Sequence, residues 1–401
     1  MKNKVLILVE SLKVGGGSER FASTLGSRLH DKGYDISYLT LMDENPKYQF
    51  KGNYYTLNEG YIYGNIIKRT FDLFRYSPRI TKLCEKLGIE TIISVSEVAN
   101  FHAVLSRRLY GNKVRIIASQ HINPEIFLKN KIKSSLIKFF YPGADEVVCV
   151  SEEIENILNN TYNVQNTLTI YNMMDLKENI KQAEEDLPAE YGELLGDRDH
   201  FNFINLGRLA HQKGQWHLIR CFRRVVDEHP HARLFILGEG VLRDRLEELI
   251  RELKLEDNIF LLGEQQNIFP FLKNSHCFVL SSLWEGLPLV LIEALSLNLP
   301  VISTDCKTGP REIICPDLDL NEELDYPYKC EYGILCQEFS DDLSFKTIEE
   351  EPLDKSESIL SDIMIKFIDN PSFGEKYLKG RDLSKFDEET IIEEWEALID
   401  Q

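Results

Sequence analysis

Residues 281–296 read SSLWEGLPLVLIEALS and follow an apolar run, Cys277-Phe278-Val279-Leu280. The pattern predicts strand, short loop and helix. Pro288 suits the first helical position, where its missing N–H goes unused. The loop carries Glu285, and the helix carries Glu293 about a turn and a half further in. Free N–H groups in the first helical turn, near Leu289 and Val290, form a seat for phosphate. Two carboxylates beside an anion site suit a phosphate-bearing ligand with hydroxyls, because ionised carboxylates accept strong hydrogen bonds. A buried strand followed by a capped helix and one solvated acid gives the same local pattern, so spacing alone leaves both readings open.

Outward from this stretch, residues 201–205 predict a strand that ends in Gly207-Arg208-Leu209 and His211-Gln212-Lys213-Gly214, before a helix starting near Trp216. Two cations at a strand end can neutralise a diphosphate, with arginine forking across two oxygens. A solvated pair is the plain alternative. Strands at 234–237 and 259–262 end in Gly238-Glu239-Gly240 and Gly263. A strand at 301–303 precedes Asp305 and Gly309-Pro310-Arg311-Glu312-Ile313, and 333–335 reads as a last strand. Asp317-Leu318-Asp319 imitates a metal-binding Asp-x-Asp, but it lies in an acidic, loop-like segment without a preceding strand and reads as solvated.

The first half repeats the strand–loop–helix pattern. Residues 5–9 form an apolar strand before Gly15-Gly16-Gly17 and a helix opening near Ser18. No Gly-Lys-Ser/Thr follows, so the P-loop pattern fails, and Arg20 stands where a dinucleotide fingerprint needs its third glycine. Asp43, after a strand at 36–41, is by itself a weak ribose acid. Helices carrying Lys68, Arg69, Arg75, Arg79 and Lys82 precede strands at 91–95 and 115–119. The latter leads into Gln120-His121-Ile122-Asn123-Pro124, which places His121 at a strand's C-terminal end, where α/β sheets bind ligands. Residues 126–141 predict one amphipathic helix with Leu128, Ile132, Leu136, Phe139 and Phe140 on one face, among Lys129, Lys131, Lys133 and Lys138. It either packs on the sheet with lysine stems covering its margins, or rests on anionic headgroups. Strands at 146–150 and 168–171 close this half.

A chain of 401 residues suits two domains. Its net charge of −19 argues against a nucleic-acid partner. Residues 1–170 hold 22 basic and 17 acidic side chains; the remainder holds 24 and 48, so the halves face different surroundings. The eight scattered cysteines lack a C-x-x-C pair and read as reduced, structural thiols in a cytoplasm. The apolar run after Lys4 is short and lacks a cleavage site, so it reads as a buried strand rather than a signal peptide. The expected layout is a first domain over 1–172, a polar, Gly- and Pro-broken linker over 173–198, a second domain over 199–375 and a tail helix over 376–401.

With Gly286 between them, Glu285 and Glu293 resemble the paired-glutamate signature of retaining glycosyltransferases of family 4, and the resemblance covers most of the chain. It implies the α/β GT-B fold, with two doubly wound parallel-sheet domains facing a cleft and a C-terminal helix crossing back to the first. It further implies a nucleotide-diphosphate sugar donor held at its diphosphate by Arg208, Lys213 and the helix start at Leu289 and Val290. Glu293 would bind ribose, and Glu285 and His121 the donor sugar. Gly16, Gly17, Gly207 and Gly309 match the family's ligand-bordering loops. Ile170-Tyr171-Asn172-Met173-Met174-Asp175 resembles the segment ending its first domain. The implied acceptor is a polysaccharide, glycolipid or lipid-linked oligosaccharide of envelope assembly, reached by a cytoplasmic protein resting loosely on an anionic membrane, with no metal or other cofactor. The acidic insertion at 316–329 departs from the family's shorter loops. A nucleotide-sugar epimerase, a phosphorylase or a non-catalytic binding subunit would share this architecture; an oxidoreductase is more distant, given the failed glycine fingerprint.

Overall fold

Short apolar runs, buried on both faces, build two sheets in the computed structural model, which describes residues 2–12, 17–42, 46, 48–57, 66–127, 131–197, 199–370, 372–378 and 381–401. The chain divides into one unit of Met1–Met173 with Glu388–Gln401 and another of Met174–Asp387.

The first unit's sheet contains β1 (Lys4–Val9), β2 (Asp35–Thr40), β3 (Asn53–Thr56), β4 (Thr91–Val95), β5 (Arg115–Gln120), β6 (Glu146–Cys149) and β7 (Thr167–Thr169). They lie in the order β3-β2-β1-β4-β5-β6-β7, all parallel. Val5 to Leu8 are fully buried, as expected of a parallel strand covered by helices on both faces. The second unit's sheet contains β8 (Phe201–Leu206), β9 (Ala232–Leu237), β10 (Ile259–Gly263), β11 (Cys277–Leu280), β12 (Val301–Thr304), β13 (Tyr328–Lys329) and β14 (Gly333–Cys336). Its order is β10-β9-β8-β11-β12-β14-β13, and only β13 runs antiparallel. Each sheet reverses its winding next to its first strand, between β1 and β4 and between β8 and β11. Crevices at such reversals receive ligands beyond the strand C-termini.

The terminal helix, Glu388–Ile399, belongs to the first unit. Trp395 is fully buried with its ring 6.0 Å from Phe21, and Glu388 meets Arg28 at 2.6 Å. Among the described residues no helix is long and apolar enough to cross a membrane.

Five expectations need correction. The tail helix expected over 376–401 is confined to Glu388–Ile399, and the residues before it, through Asp387, belong to the second unit. The stretch expected as a linker holds helices Leu176–Gln182 and Ala189–Gly196, which are part of the second unit. Leu195 is buried there, its carbonyl accepts from Asn202 Nδ2, and Tyr191 packs on Phe271, so a stretch that is polar overall is still docked on the second unit. The single helix expected at 126–141 is instead two, Pro124–Phe127 and Lys131–Phe140, and its apolar face is divided. Ile137 and Phe140 are buried, Phe140 against Phe101, whereas Phe139 stays 54% exposed. Cys315 and Cys330 form a disulfide, with Cα atoms 4.8 Å apart, where reduced thiols were expected; the other six cysteines are free and buried. Pro288 is the cap of the Leu289–Ser296 helix rather than its first residue. Gly15, Gly16, Asp43 and Lys129 lie outside the described residues.

A buried ionic cluster fixes the second unit's first long helix, Gln215–Glu228. Glu357 accepts from His217 Nδ1 at 2.7 Å and Arg220 Nε at 2.9 Å, while Arg220 also reaches the Glu351 carbonyl. Burial raises the Glu357 pKa, but these hydrogen bonds outweigh it and hold the carboxyl at about 2, below its ordinary 4.5. A depressed folded-state pKa contributes stability that is present above pH 4.5 and is lost as pH falls through 2. Acid titration of the wild type should lose about 3 kcal/mol between those limits through this carboxyl. Glu357→Gln, less stable at neutral pH, should lack that component when unfolding is followed by denaturant titration at each pH; an unchanged acid profile would contradict the assignment.

Candidate active site

In the second unit, the loops leaving β8 and β11 are joined by hydrogen bonds. Ser281 Oγ donates to the Lys213 carbonyl at 2.8 Å, Leu283 N to the Gln212 carbonyl at 2.8 Å, and Gln212 Nε2 to the Trp284 carbonyl at 2.9 Å. The join demands glycine at 214. Its φ is 59°, and a Cβ there would lie 2.3 Å from the Ser281 carbonyl oxygen. His211 stacks on Trp216 at 5.3 Å and meets Trp284 edge-on, which supports the loop from below.

This geometry brings Lys213 and Glu285 into contact. Lys213 Nζ lies 2.6 Å from Glu285 Oε1, with side chains 15% and 8% exposed. Ser282 Oγ donates to the same oxygen at 2.6 Å, and Gln212 Nε2 reaches Oε2 at 3.3 Å. The Lys213 stem runs across Gly207, where a Cβ would stand 3.1 Å from it. Arg208 follows, exposed, with its guanidinium unpartnered among the described residues.

A third loop, after β12, closes on Glu285 from behind. Glu285 N donates to the Lys307 carbonyl at 3.0 Å, and Thr308 Oγ1 to the Gly286 carbonyl at 2.8 Å. Gly309 has φ 96°, and a Cβ there would lie 2.7 Å from Pro288 Cδ, so this glycine permits the loop to press against the helix start. Leu289 and Val290 open that helix half-buried, and their N–H groups have no intrahelical acceptor. Glu293, one turn on, is buried. Arg208, Lys213, Glu285, Glu293, Gly207, Gly309, Leu289 and Val290 thus all belong to the C-terminal edge of one sheet. Asp317 and Asp319 are exposed on the insertion, as read from the sequence. That insertion is tied down by Arg311, which pairs with Asp305 at 2.7 Å and donates to the Leu320 and Glu322 carbonyls.

His121 and Gly17 belong to the first unit. Gly17 opens the Gly17–Asp31 helix. His121 packs on Phe21 at 4.7 Å, and its Nε2 lies 2.9 Å from Ser119 Oγ. Loss of hydration pushes its pKa down to about 3, so the imidazole is neutral at pH 7. A buried polar network stands behind it. Gln120 Nε2 donates to Glu97 Oε1 at 2.7 Å and to the Ile122 carbonyl at 2.6 Å, while Gln120 Oε1 accepts from Tyr141 Oη. The sequence reading missed Gln212, Ser282 and Thr308, and in the first unit Glu97 and Tyr141. Glu97 lies in the first turn of the Glu97–Tyr110 helix, and its role depends on Gln120, brought from β5.

Two family models match, Glycosyltransferase Family 4 over residues 15–178 and Glycosyl transferases group 1 over residues 193–320. An uncharacterized glycosyltransferase of Methanocaldococcus jannaschii is 41% identical over 347 residues, covering 84% of this chain and 83% of that protein. The N-acetylgalactosamine-N,N'-diacetylbacillosaminyl-diphospho-undecaprenol 4-alpha-N-acetylgalactosaminyltransferase of Campylobacter jejuni is 31% identical over 322 residues, covering 78% and 84%. A crystal structure of Anabaena HepE in complex with UDP and glucose matches the fold with a TM-score of 0.73 at 17% identity, covering 100% of both chains. The chain belongs to the family 4 glycosyltransferases, and its two parallel-sheet units are those of the GT-B fold.

Proposed function

We propose that this glycosyltransferase moves a sugar, with retention of anomeric configuration, from a nucleoside diphosphate sugar to an acceptor hydroxyl in envelope glycan or lipid-linked oligosaccharide assembly. The observation that carries the reading is the largely buried Lys213–Glu285 pair beside the start of the Leu289–Ser296 helix. A lysine, an exposed arginine and a row of backbone N–H groups converge on one strand edge, a setting for the two phosphates of a donor. On donor binding Lys213 exchanges its carboxylate for phosphate oxygen, and Glu285 turns its acceptor capacity to sugar hydroxyls. Glu293 holds the ribose, and neutral His121 bonds the donor sugar.

In the transfer itself the bond from anomeric carbon to phosphate oxygen breaks, and a bond from that carbon to the acceptor oxygen forms on the same face. The departing phosphate oxygen takes the acceptor's proton. Arg208, Lys213 and the helix start stabilise negative charge as it develops on that oxygen, which is the electrostatic part of catalysis. Among relatives, the Campylobacter enzyme is named for a diphospho-undecaprenol acceptor, which supports a lipid-linked acceptor here.

Arg208→Ala and Lys213→Ala should each slow transfer about a hundredfold or more, since one charge-stabilising contact in a transition state is worth that much. Nucleotide release and mass spectrometry of products from a donor panel, offered with lipid-linked and soluble acceptors, provide the check. Near-normal transfer by both folded variants would refute the diphosphate assignment. Because these cations supply the neutralisation a metal would otherwise give, the same assay should survive EDTA; loss of activity restored by manganese or magnesium would overturn this and point back to Asp317 and Asp319.

A lipid-linked acceptor also favours a loose membrane contact by the net basic stretch of residues 1–170. Phe139 and Leu109 stand exposed there, with Arg108 stacked on the Phe139 ring at 4.5 Å and Lys138 in water. Each lysine near an anionic surface contributes about 1 kcal/mol. The full chain should sediment with anionic liposomes in a salt-sensitive way and ignore neutral ones. Replacing Lys129, Lys131, Lys133 and Lys138 by Gln should weaken that; sedimentation unchanged by the replacement would exclude this surface.

A further inference from the structure

The acidic segment 316–329, which the site described above leaves without a role, folds around one guanidinium. Arg311, on the short helix Pro310–Ile314, forks onto Asp305. Its Nε lies 3.0 Å from both carboxylate oxygens, and its Nη2 lies 2.7 Å from Oδ2. The remaining arm, Nη1, donates to the Leu320 carbonyl at 2.9 Å and to the Glu322 carbonyl at 2.8 Å. Tyr326 Oη donates to Asp305 Oδ2 as well. Burial and the Asp305 carboxylate both push the Tyr326 phenol above its ordinary value of 10, so it remains a donor. Leu320, Glu322 and Tyr326 all lie between Cys315 and Cys330, whose disulfide closes the segment on itself. Asp305 is only 4% exposed, and the fork and the phenol together satisfy it.

Asp305 and Arg311 stand at the two ends of the loop that closes on Glu285. Asp305 leaves β12 with its N–H on the Cys336 carbonyl at 2.8 Å, which anchors its backbone to the end of β14. Arg311 comes six residues later, so pairing the two pinches the residues between them into a fixed loop. The inner side of that loop holds Glu285. Glu285 N donates to the Lys307 carbonyl at 3.0 Å, and Thr308 N returns a bond to the Glu285 carbonyl at 3.3 Å. Thr308, fully buried, adds its hydroxyl to the same carbonyl at 3.1 Å. Lys213, Ser282 and Gln212 set where the Glu285 carboxylate points, and the 306–310 loop sets where its backbone lies.

We propose that Arg311 and Tyr326 are positioning residues for the donor sugar. Through Asp305 they fix the 306–310 loop, and through that loop the Glu285 backbone, so that the 316–329 segment is the outer brace of the sugar-binding glutamate. The proposal rests on the reading that Glu285 holds the donor sugar. The diphosphate is assigned to other elements, the 207–214 loop and the start of the Leu289–Ser296 helix, so the brace governs the sugar and spares the nucleotide. A displacement of about 1 Å at a reacting centre can cost about a hundredfold in rate, so slackening the brace is felt in turnover.

Two mild variants test this in the full chain. Tyr326→Phe removes one hydroxyl and keeps the ring, while Arg311→Lys keeps the charge and cannot reproduce the fork. Without ligand, amide hydrogen exchange should quicken at 284–287 and 306–309 in both variants and stay as in the wild type at 207–214. Nucleotide release is then followed with the donor that the wild type uses among UDP-glucose, UDP-N-acetylgalactosamine, GDP-mannose and ADP-glucose, offered with lipid-linked and soluble acceptors. Each variant should lose about tenfold or more in kcat/KM. Calorimetry with the matching bare UDP, GDP or ADP should return the wild-type Kd. Adding Tyr326→Phe to Glu285→Gln should cost nothing further, because residues that act through one contact are not additive. Wild-type exchange at 284–287, or wild-type kcat/KM in both variants, overturns the brace. A loss that is equally large for the bare nucleotide, or that adds in full to Glu285→Gln, also overturns it, since the two residues would then serve the fold alone. Full turnover by Glu285→Gln would instead refute the sugar assignment of Glu285, while exchange at 284–287 still judges the brace.

Discussion

The contact between Lys213 and Glu285 is the constraint on which the second unit depends. Neither residue has a place by itself: they are 72 positions apart and meet because β8 and β11 are neighbours at the reversal of the sheet. Two charges removed largely from water hold only if they are paired, and removing one partner of such a pair costs about 3–5 kcal/mol. Gln212 and Ser282 complete the carboxylate's hydrogen bonds, so the pair is satisfied without ligand. Glycine at 214 and 309 allows three loops to approach closely enough to achieve this.

Rigidity at that edge is supplied from behind. The helix that begins at Gln215 is fixed by His217, Arg220 and Glu357, which tie it to the Lys355–Asp369 helix and to the 340–352 segment. The helix start next to Lys213 is therefore not free to drift. A site on loops gains precision from such a scaffold. The first unit uses a different device, a buried hydrogen-bond chain that links Glu97, Gln120 and Tyr141, to hold the loop bearing His121.

Much of this was legible in the sequence, and for a definite reason. Central parallel strands are apolar on both faces, so runs such as Val5–Val9 and Cys277–Leu280 stand out without context, and with them the loops at their ends. The residues of those loops could be named individually. What could not be read were the partnerships. Cys315 and Cys330 differ in no local way from the six free cysteines; only the packing of the insertion brings them together. The short strands Asn53–Thr56 and Tyr328–Lys329 lie at sheet edges, are largely exposed and lack an apolar run. The polar 173–198 stretch conceals a few buried contacts, such as Leu195, that suffice to dock two helices. Glu97 is the most instructive miss, since nothing in its neighbours predicts a glutamine from the next strand.

The central claim is that the Gly207–Gly214 loop and the start of the Leu289–Ser296 helix together form the donor diphosphate seat. Amide hydrogen exchange with UDP, GDP and ADP tests it directly, read by peptides across the whole chain. The account predicts that at least one nucleotide slows exchange in both segments, 207–214 and 286–291. Slowed exchange elsewhere with neither segment affected, or no effect from any of the three, would contradict it.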